Sequence, residues 1–568
     1  MVSYKQNLPV VFLGISYSFL VFLFCLFMFS CIGFIFHLSI NSIYTVLSLM
    51  ASLVSLFIFS KKNNFSIKYT IFTYILYVVI IVLAVAFGYK FYDSSWDGRA
   101  YHHAGIMLLS SGMNPIYDVA SEYAQNIYNT KLGGITWVEC YPKFVEIVWA
   151  NIFHIFRNIE ISKMTNILSS FIVFGYAFYV LNKEYFRKLG FGLTVIIPLL
   201  LVINPVNIAQ IMTYYIDNYV YLFFLMLLFS VIDIETQENK NLLAYSIMIM
   251  SSVGLVSIKL GGLLYLILPV FMYLIYLALK KQMQKVKTVM LAFVIITLLS
   301  VVANVNPYIT NLSRGRHIFY PLAGVDKVDI ITHVTPTSFY GKPVVYTFLA
   351  SNFSRVSNIN FKSNKKHQLK LPFTMYKSEL GASLGAVDTR ICGFGVLWSG
   401  ILLISCLLAF FIRYNSKEEK QLGLLIFSIL LALLLVNPYN WWARYVHHFW
   451  ALPIFTAMYL LLKNNISGFQ KAMVYFLFFI MLSNVVIQSI FVLKREHRYH
   501  KNIIAQVSAL KKYNKEIKIY YIYDWAFIEK LKENNIKFAV VTKGYFDEHK
   551  KQFRKIPKTL FDVMYWDY

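Results

Sequence analysis

Residues 69–103 read YTIFTYILYVVIIVLAVAFGYKFYDSSWDGRAYHH. Residues 69–89 form an apolar run long enough to cross a hydrocarbon core of ~30 Å as an α-helix, which satisfies every backbone polar group within the segment. Directly after it come Asp93, Asp97, Arg99, His102 and His103. A membrane span that gives way to a knot of ionisable groups fixes the fold class and marks the first place to look for chemistry.

The same apolar pattern recurs along the 568 residues, which are 58% hydrophobic, 18% aromatic and only 14% charged. With a mean hydropathy of +0.58, this composition excludes a soluble chain and an outer-membrane β-barrel. About thirteen spans are expected, over 10–36, 42–60, 69–89, 164–181, 191–204, 217–234, 242–258, 261–279, 288–303, 393–412, 421–436, 445–462 and 470–493. The fifth is short enough to be re-entrant. The fold class is therefore an all-α polytopic membrane protein, with membrane lipids as its surroundings.

The net charge of +26 follows the spans. One set of short connections carries Lys61, Lys62, Lys68, Lys183, Arg187, Lys188, Lys240, Lys280, Lys281, Lys285, Lys287, Arg413, Lys417, Lys420, Lys463 and Lys471, while the opposite set carries only Lys259 and Arg444. This positive-inside bias puts the N-terminus in the cytoplasm and accounts for the basic balance without a nucleic-acid partner. Three longer pieces then fall outside: residues 90–163, residues 304–392 and the tail. The expected organisation is a transmembrane module over 1–493 and a small α/β domain over 494–568 on the outer face. In that domain, strand-like residues 516–523 precede a helical Trp525–Asn534 and a second strand at Lys537–Val541. The first span is long and lacks a small-residue cleavage site, so it reads as a retained helix.

In the first outer segment, the pattern from Asp97 to Ser110 suits a short helix with Asp97 as N-cap and Gly112 as its stop. Capping alone would explain Asp97, but not the crowd of Asp93, Arg99, His102 and His103 around it. A second helix from Pro142 to about Arg157 is expected to lie along the bilayer surface, its polar stripe made of Lys143, Glu146, Asn151 and His154. The second outer segment, with His333, Asn352, Asn358, Asn360, the Lys362–Lys370 basic run and Asp388-Thr389-Arg390, reads as a mobile polar cover. Lys362, Lys365 and Lys366 read as solvated surface. Cys140 and Cys392 are near enough to outer loops for one disulfide, although scattered apolar cysteines suit all five positions better. No Cys/His spacing resembles a structural zinc site.

Several short motifs share one pattern: Asp93-Ser94-Ser95-Trp96-Asp97-Gly98-Arg99-Ala100-Tyr101-His102, Gly112-Met113-Asn114-Pro115, Asn204-Pro205-Val206 leading to Tyr214-Tyr215-Ile216-Asp217, Ser257-Ile258-Lys259-Leu260-Gly261, and Trp442-Ala443-Arg444-Tyr445. Together they resemble the GT-C superfamily of integral-membrane glycosyltransferases over residues 1 to about 490. The acidic pair departs from a clean Asp-x-Asp. The resemblance implies an enzyme of the plasma (inner) membrane, working at the outer face. It would transfer sugar from a polyprenyl-phosphate donor to a cell-surface glycan or lipid-linked acceptor.

Such a reaction needs a base for the acceptor hydroxyl and cations for the leaving phosphate. Asp97 is the expected base, with Asp93 beside it to orient the acceptor, hold a divalent cation, or do neither. No cofactor is certain, and Mg2+ or Mn2+ at Asp93 and Asp97 stays open. Arg444, Arg314, Arg316 and Lys259 are the phosphate-binding candidates, and His102, His103, Arg99, Asp217 and His333 the acceptor or accessory ones. A lipid-linked glycan polymerase or ligase is the alternative, and a transporter or flippase a further one.

Overall fold

The computed structural model describes residues 4–237, 241–359, 362, 365–512, 515–556 and 564–566. Lys240 and Asn360 lie outside the described residues. Among those described, ten helices are long and apolar enough to cross a membrane, and four shorter apolar ones cover Phe144–Phe156, Leu242–Ile258, Trp398–Ala409 and His447–Leu462. Each expected span coincides with a helix. The span expected over 393–412 begins only at Trp398, because Gly395 adopts φ +101°, which a helix does not admit.

The helix Asp217–Glu235 is the centre of the bundle, buried over its whole apolar window. Ile67–Lys90 and Met283–Ala303 are peripheral, turning residues such as Leu83 and Leu298 outward as lipid-facing surface. At one end of the central helix, Asp233 meets Lys183 and Tyr176, and Glu235 meets Lys280 and Lys285. At the other end, Asp217 meets Lys259 and Arg444. With a rise of about 1.5 Å per residue the two charged ends stand roughly 27 Å apart, a hydrocarbon core's thickness. The chain is a multi-pass helical membrane protein.

Two local expectations change. Asp97 makes no capping hydrogen bond: the turn Gly98–His102 is wider than α-helical, and Ser95 Oγ accepts the Gly98 N–H at 3.2 Å in its place. The helix then runs on as His103–Ser110. The helix Phe144–Phe156 is buried from Phe144 to Phe153 instead of lying on a surface. Its polar residues have partners inside the protein, Glu146 with His102 Nδ1 at 2.7 Å and Asn151 with Ser30 Oγ at 2.9 Å.

Part of the segment 304–392 is pinned by buried contacts. Lys370 and Glu379 form a fully enclosed ion pair at 2.6 Å, and Glu379 also accepts the Val356 and Tyr376 N–H groups. All five cysteines are free.

The final span continues as one helix, Gly468–Lys511, through residue 494 and into the C-terminal domain. There β1 (Ile517–Tyr520) pairs in parallel with β2 (Phe538–Val540) across the helix Trp525–Glu533. Two short strands, β3 (Arg554–Lys555) and β4 (Met564–Trp566), complete a sheet of order β2-β1-β4-β3. This domain docks on the segment 90–163 through Asp524 and Arg99, Tyr521 and Thr130, and Glu533 and Asn158.

Candidate functional site

Lys259 and Arg444 reach the site from two turns built for close approach. Lys259 leaves the helix Leu242–Ile258 in extended conformation, and the Gly262 N–H closes the turn on its carbonyl at 2.7 Å. A Cβ at Gly262 would collide with the Leu255 carbonyl, so the Lys259-Leu260-Gly261-Gly262 turn requires glycine there. Arg444 lies in the short turn Ala443–Tyr445, whose Tyr445 carbonyl accepts from Asn437 Nδ2 at 3.0 Å and Tyr265 Oη at 2.9 Å.

The two cations share one carboxylate. Asp217 Oδ1 lies 2.5 Å from Lys259 Nζ and Oδ2 lies 2.9 Å from Arg444 Nε, while Arg444 Nη2 donates to Asp97 Oδ2 at 3.0 Å. The contact between Arg444 Nε and Asp217 Oδ2 is an ion pair without hydrogen-bond geometry, leaving capacity on both buried atoms. The guanidinium also stacks on Tyr215, 4.7 Å from the ring centroid, and on Trp442 at 5.0 Å, which fixes its plane. Burial works against the charge on Lys259 and Arg444. The Asp217 carboxylate beside Lys259, and Asp217 with Asp97 beside Arg444, outweigh burial and hold both firmly protonated.

Two cavities meet at this network. One, of about 660 Å3, is lined by apolar groups such as Val220, Leu264, Leu322 and Val328 together with Asp217, Lys259, Arg444 and His447. The other, of about 670 Å3, holds Asp97 among Trp96, Tyr101, Trp137, Tyr215 and Trp442, under His333, Lys362 and Arg390. Tyr141, Lys259, Arg444 and Tyr445 belong to both walls. A chamber with more aliphatic lining and one with more tryptophan and tyrosine, both of mixed polarity, therefore share a cationic partition.

Of the residues singled out in the sequence, Asp97, Asp217, Lys259 and Arg444 come together, and His333, Asn358, Asp388 and Arg390 line the second cavity. Asp93, Arg99, His102, His103, Arg314 and Arg316 lie elsewhere. Asp93 is enclosed, with His103 Nε2 at 3.1 Å and the Ser95 hydroxyl donating to it at 2.8 Å. Burial disfavours its charge, but His103, Lys163 and Ser95 outweigh that and hold the carboxyl below its ordinary range. Arg99 is locked to Asp524, and His102 to Glu146. Arg314 and Arg316 face Glu139 at 3.9 and 3.5 Å and line neither cavity. Lys362, Lys365 and Lys366 are exposed, as read, and Lys362 borders the second cavity, as does Tyr523 of the C-terminal domain, which no sequence signal marked. Among the described residues no three His, Cys, Asp or Glu side chains converge. The Asp97 carboxylate has a guanidinium as neighbour.

Fold and site thus define a polytopic helical membrane protein with paired charges buried between two adjoining cavities. Among solved structures, the chain is similar to ArnT from Cupriavidus metallidurans bound to undecaprenyl phosphate, with 10% identity, 86% of this chain and 97% of that chain covered, and a TM-score of 0.39. It is similar also to ArnT from the same organism in the apo state, with 8% identity, the same coverage of 86% and 97%, and a TM-score of 0.41. No family model and no curated protein sequence matches the chain.

Proposed function

We propose that the protein is a membrane glycosyltransferase that moves a sugar from a polyprenyl-phosphate donor to a glycan or lipid-linked acceptor at the outer face of the plasma (inner) membrane. The observation that carries this reading is the position of Arg444, in the wall of both cavities and bonded to Asp97 on one side. The first cavity, with the aliphatic side chains Val220, Leu264, Leu322 and Val328, suits a polyprenyl chain, whose phosphate would meet Arg444 and Lys259 where the two cavities join. The second, with Asp97 among Trp96, Trp137 and Trp442, suits the acceptor.

In the reaction, the acceptor oxygen bonds to the anomeric carbon as the bond from that carbon to the phosphate oxygen breaks. The electron pair of the broken bond goes to the phosphate, beside Arg444 and Lys259. The hydroxyl proton passes to Asp97. A guanidinium offers a forked pair of donors and an ammonium a point charge, so the two together match a developing phosphate dianion. Arg444 also restrains Asp97 before substrate arrives. A donor phosphate competing for its Nη groups would loosen that bond and release the carboxylate for the acceptor hydroxyl. No step in this reading passes through a divalent cation.

The test is transfer of radiolabelled sugar from a panel of polyprenyl-phosphate donors to a membrane glycolipid extract, by wild type and by Asp97→Asn. Asparagine keeps the shape and removes the base, so transfer should fall by about 10²–10⁴-fold. Full activity in the variant would remove Asp97 from the reaction. A wild type inert with every donor would refute the reading and favour a polymerase or ligase.

A further inference from the structure

Tyr523 comes from the C-terminal domain, yet it lines the same cavity as Asp97, Trp96 and Trp137. Its placement is enforced from both sides. The next residue, Asp524, holds a left-handed backbone at φ +64°, a conformation uncommon for non-glycine residues, which Asp tolerates better than most and which its contacts here fix. The Asp524 carboxylate takes the Arg99 guanidinium through Nε at 2.8 Å and through Nη2, and the Asp524 N–H donates to the Arg99 carbonyl at 2.8 Å. On the other side, the Gly133 N–H donates to the Ile522 carbonyl at 3.2 Å, and any Cβ on Gly133 would overlap the Tyr523 ring.

Arg99 is two residues from Asp97 and only 1% exposed. The segment Ile522–Asp524 is therefore clamped to the turn that carries the base, and the clamp presents an aromatic ring to the second cavity. Docking for stability needs the Arg99 pair and the backbone bonds. It does not need an aromatic side chain facing a water-accessible chamber. An aromatic ring face suits a sugar, which offers a C–H face to pack against it.

We propose that the C-terminal domain completes the acceptor site, with Tyr523 as an acceptor-binding residue that holds a saccharide ring against the chamber wall near Trp96 and Trp137. This rests on the glycosyltransferase reading and goes further by assigning acceptor recognition to the appended domain. Binding of the polyprenyl-phosphate donor in the other cavity is independent of this ring. An aromatic contact of about 1–1.4 kcal/mol corresponds to a five- to tenfold change in half-saturation.

The experiment uses the full-length protein in detergent, a radiolabelled polyprenyl-phosphate sugar active with wild type, and the membrane glycolipid extract titrated as acceptor. Tyr523→Ala and Tyr523→Leu should each raise the half-saturating amount of extract by about five- to tenfold, with donor half-saturation within about twofold of wild type. Tyr523→Phe should restore the wild-type extract dependence. Leucine preserves packing over Gly133, so a stability loss confined to the alanine variant does not decide the result. If both variants keep the wild-type extract dependence, or if donor and acceptor half-saturation move together, the assignment of Tyr523 is overturned while the glycosyltransferase reading stands. If wild type transfers from no donor, the parent reading falls and this one with it.

Discussion

Arg444 spans two carboxylates, with Nη2 3.0 Å from Asp97 Oδ2 and Nε 2.9 Å from Asp217 Oδ2, so one guanidinium ties the segment 90–163 to the central helix. Only a planar fork stacked on Tyr215 and Trp442 makes both contacts at once. Arg444→Lys keeps the charge and loses the fork. One charged hydrogen bond is worth about 1.5–3 kcal/mol, so kcat/KM for transfer should fall roughly 10- to 150-fold, with a rise in donor half-saturation. Steady-state transfer assays check this, and an unchanged kcat/KM would mean that the fork plays no part.

Asp217 is the one carboxylate shared by Lys259 and Arg444, and it is 4% exposed. Asp217→Asn would leave two neighbouring cations without their common counter-charge, at a cost of about 3–5 kcal/mol. Adding Lys259→Met should recover part of this, because the ammonium left without a counter-charge is then gone while Arg444 still has Asp97. Unfolding in detergent titrated with SDS measures both variants. Equal stability of wild type and the single variant would refute the keystone role.

The spans were legible because each must satisfy its own backbone in lipid, a local constraint that every apolar run records. Lys259 and Arg444 were legible for a related reason: charge is scarce at such boundaries, so an exception stands out. Asp217 could be placed at the head of a span, but its pairing with residues 42 and 227 positions later depends on how helices pack. The same limit hid Tyr523, whose sequence surroundings are an ordinary strand-to-helix connection. The helix Phe144–Phe156 misled in the opposite way. A polar stripe of Glu146 and Asn151 has the same periodicity whether it faces water or inner partners such as His102 and Ser30.

The pair Lys370–Glu379 should hold part of the segment 304–392 in place over the cavities. Both side chains are fully enclosed, and Glu379 also satisfies two backbone N–H groups. Glu379→Ala is expected to cost about 3–5 kcal/mol by stranding the ammonium. The double change Lys370→Met with Glu379→Leu should recover only part of it. The Val356 and Tyr376 N–H groups would remain unsatisfied, at about 1–3 kcal/mol each. Thermal melts rank the variants, and limited proteolysis should show earlier cleavage between residues 353 and 379 in Glu379→Ala. Full recovery in the double variant would show that the backbone bonds contribute nothing.

Asp93 gives a prediction in pH. Its carboxyl is held below the ordinary range in the folded protein despite burial, chiefly by His103, then by Lys163 and Ser95. The unfolded chain binds its proton near pH ~3.9. A depressed folded pKa means that the charged form stabilises the fold. That contribution is present in full above the unfolded value and is lost as pH falls through the folded one. Asp93→Asn never has it. The gap in Tm between wild type and Asp93→Asn should therefore stay constant from about pH 7 to about pH 5 and narrow steadily below about pH 4. Differential scanning calorimetry in detergent at stepped pH measures it directly. A gap that widens on acidification would mean that Asp93 is protonated in the folded state and that its enclosure beside His103 raises the pKa.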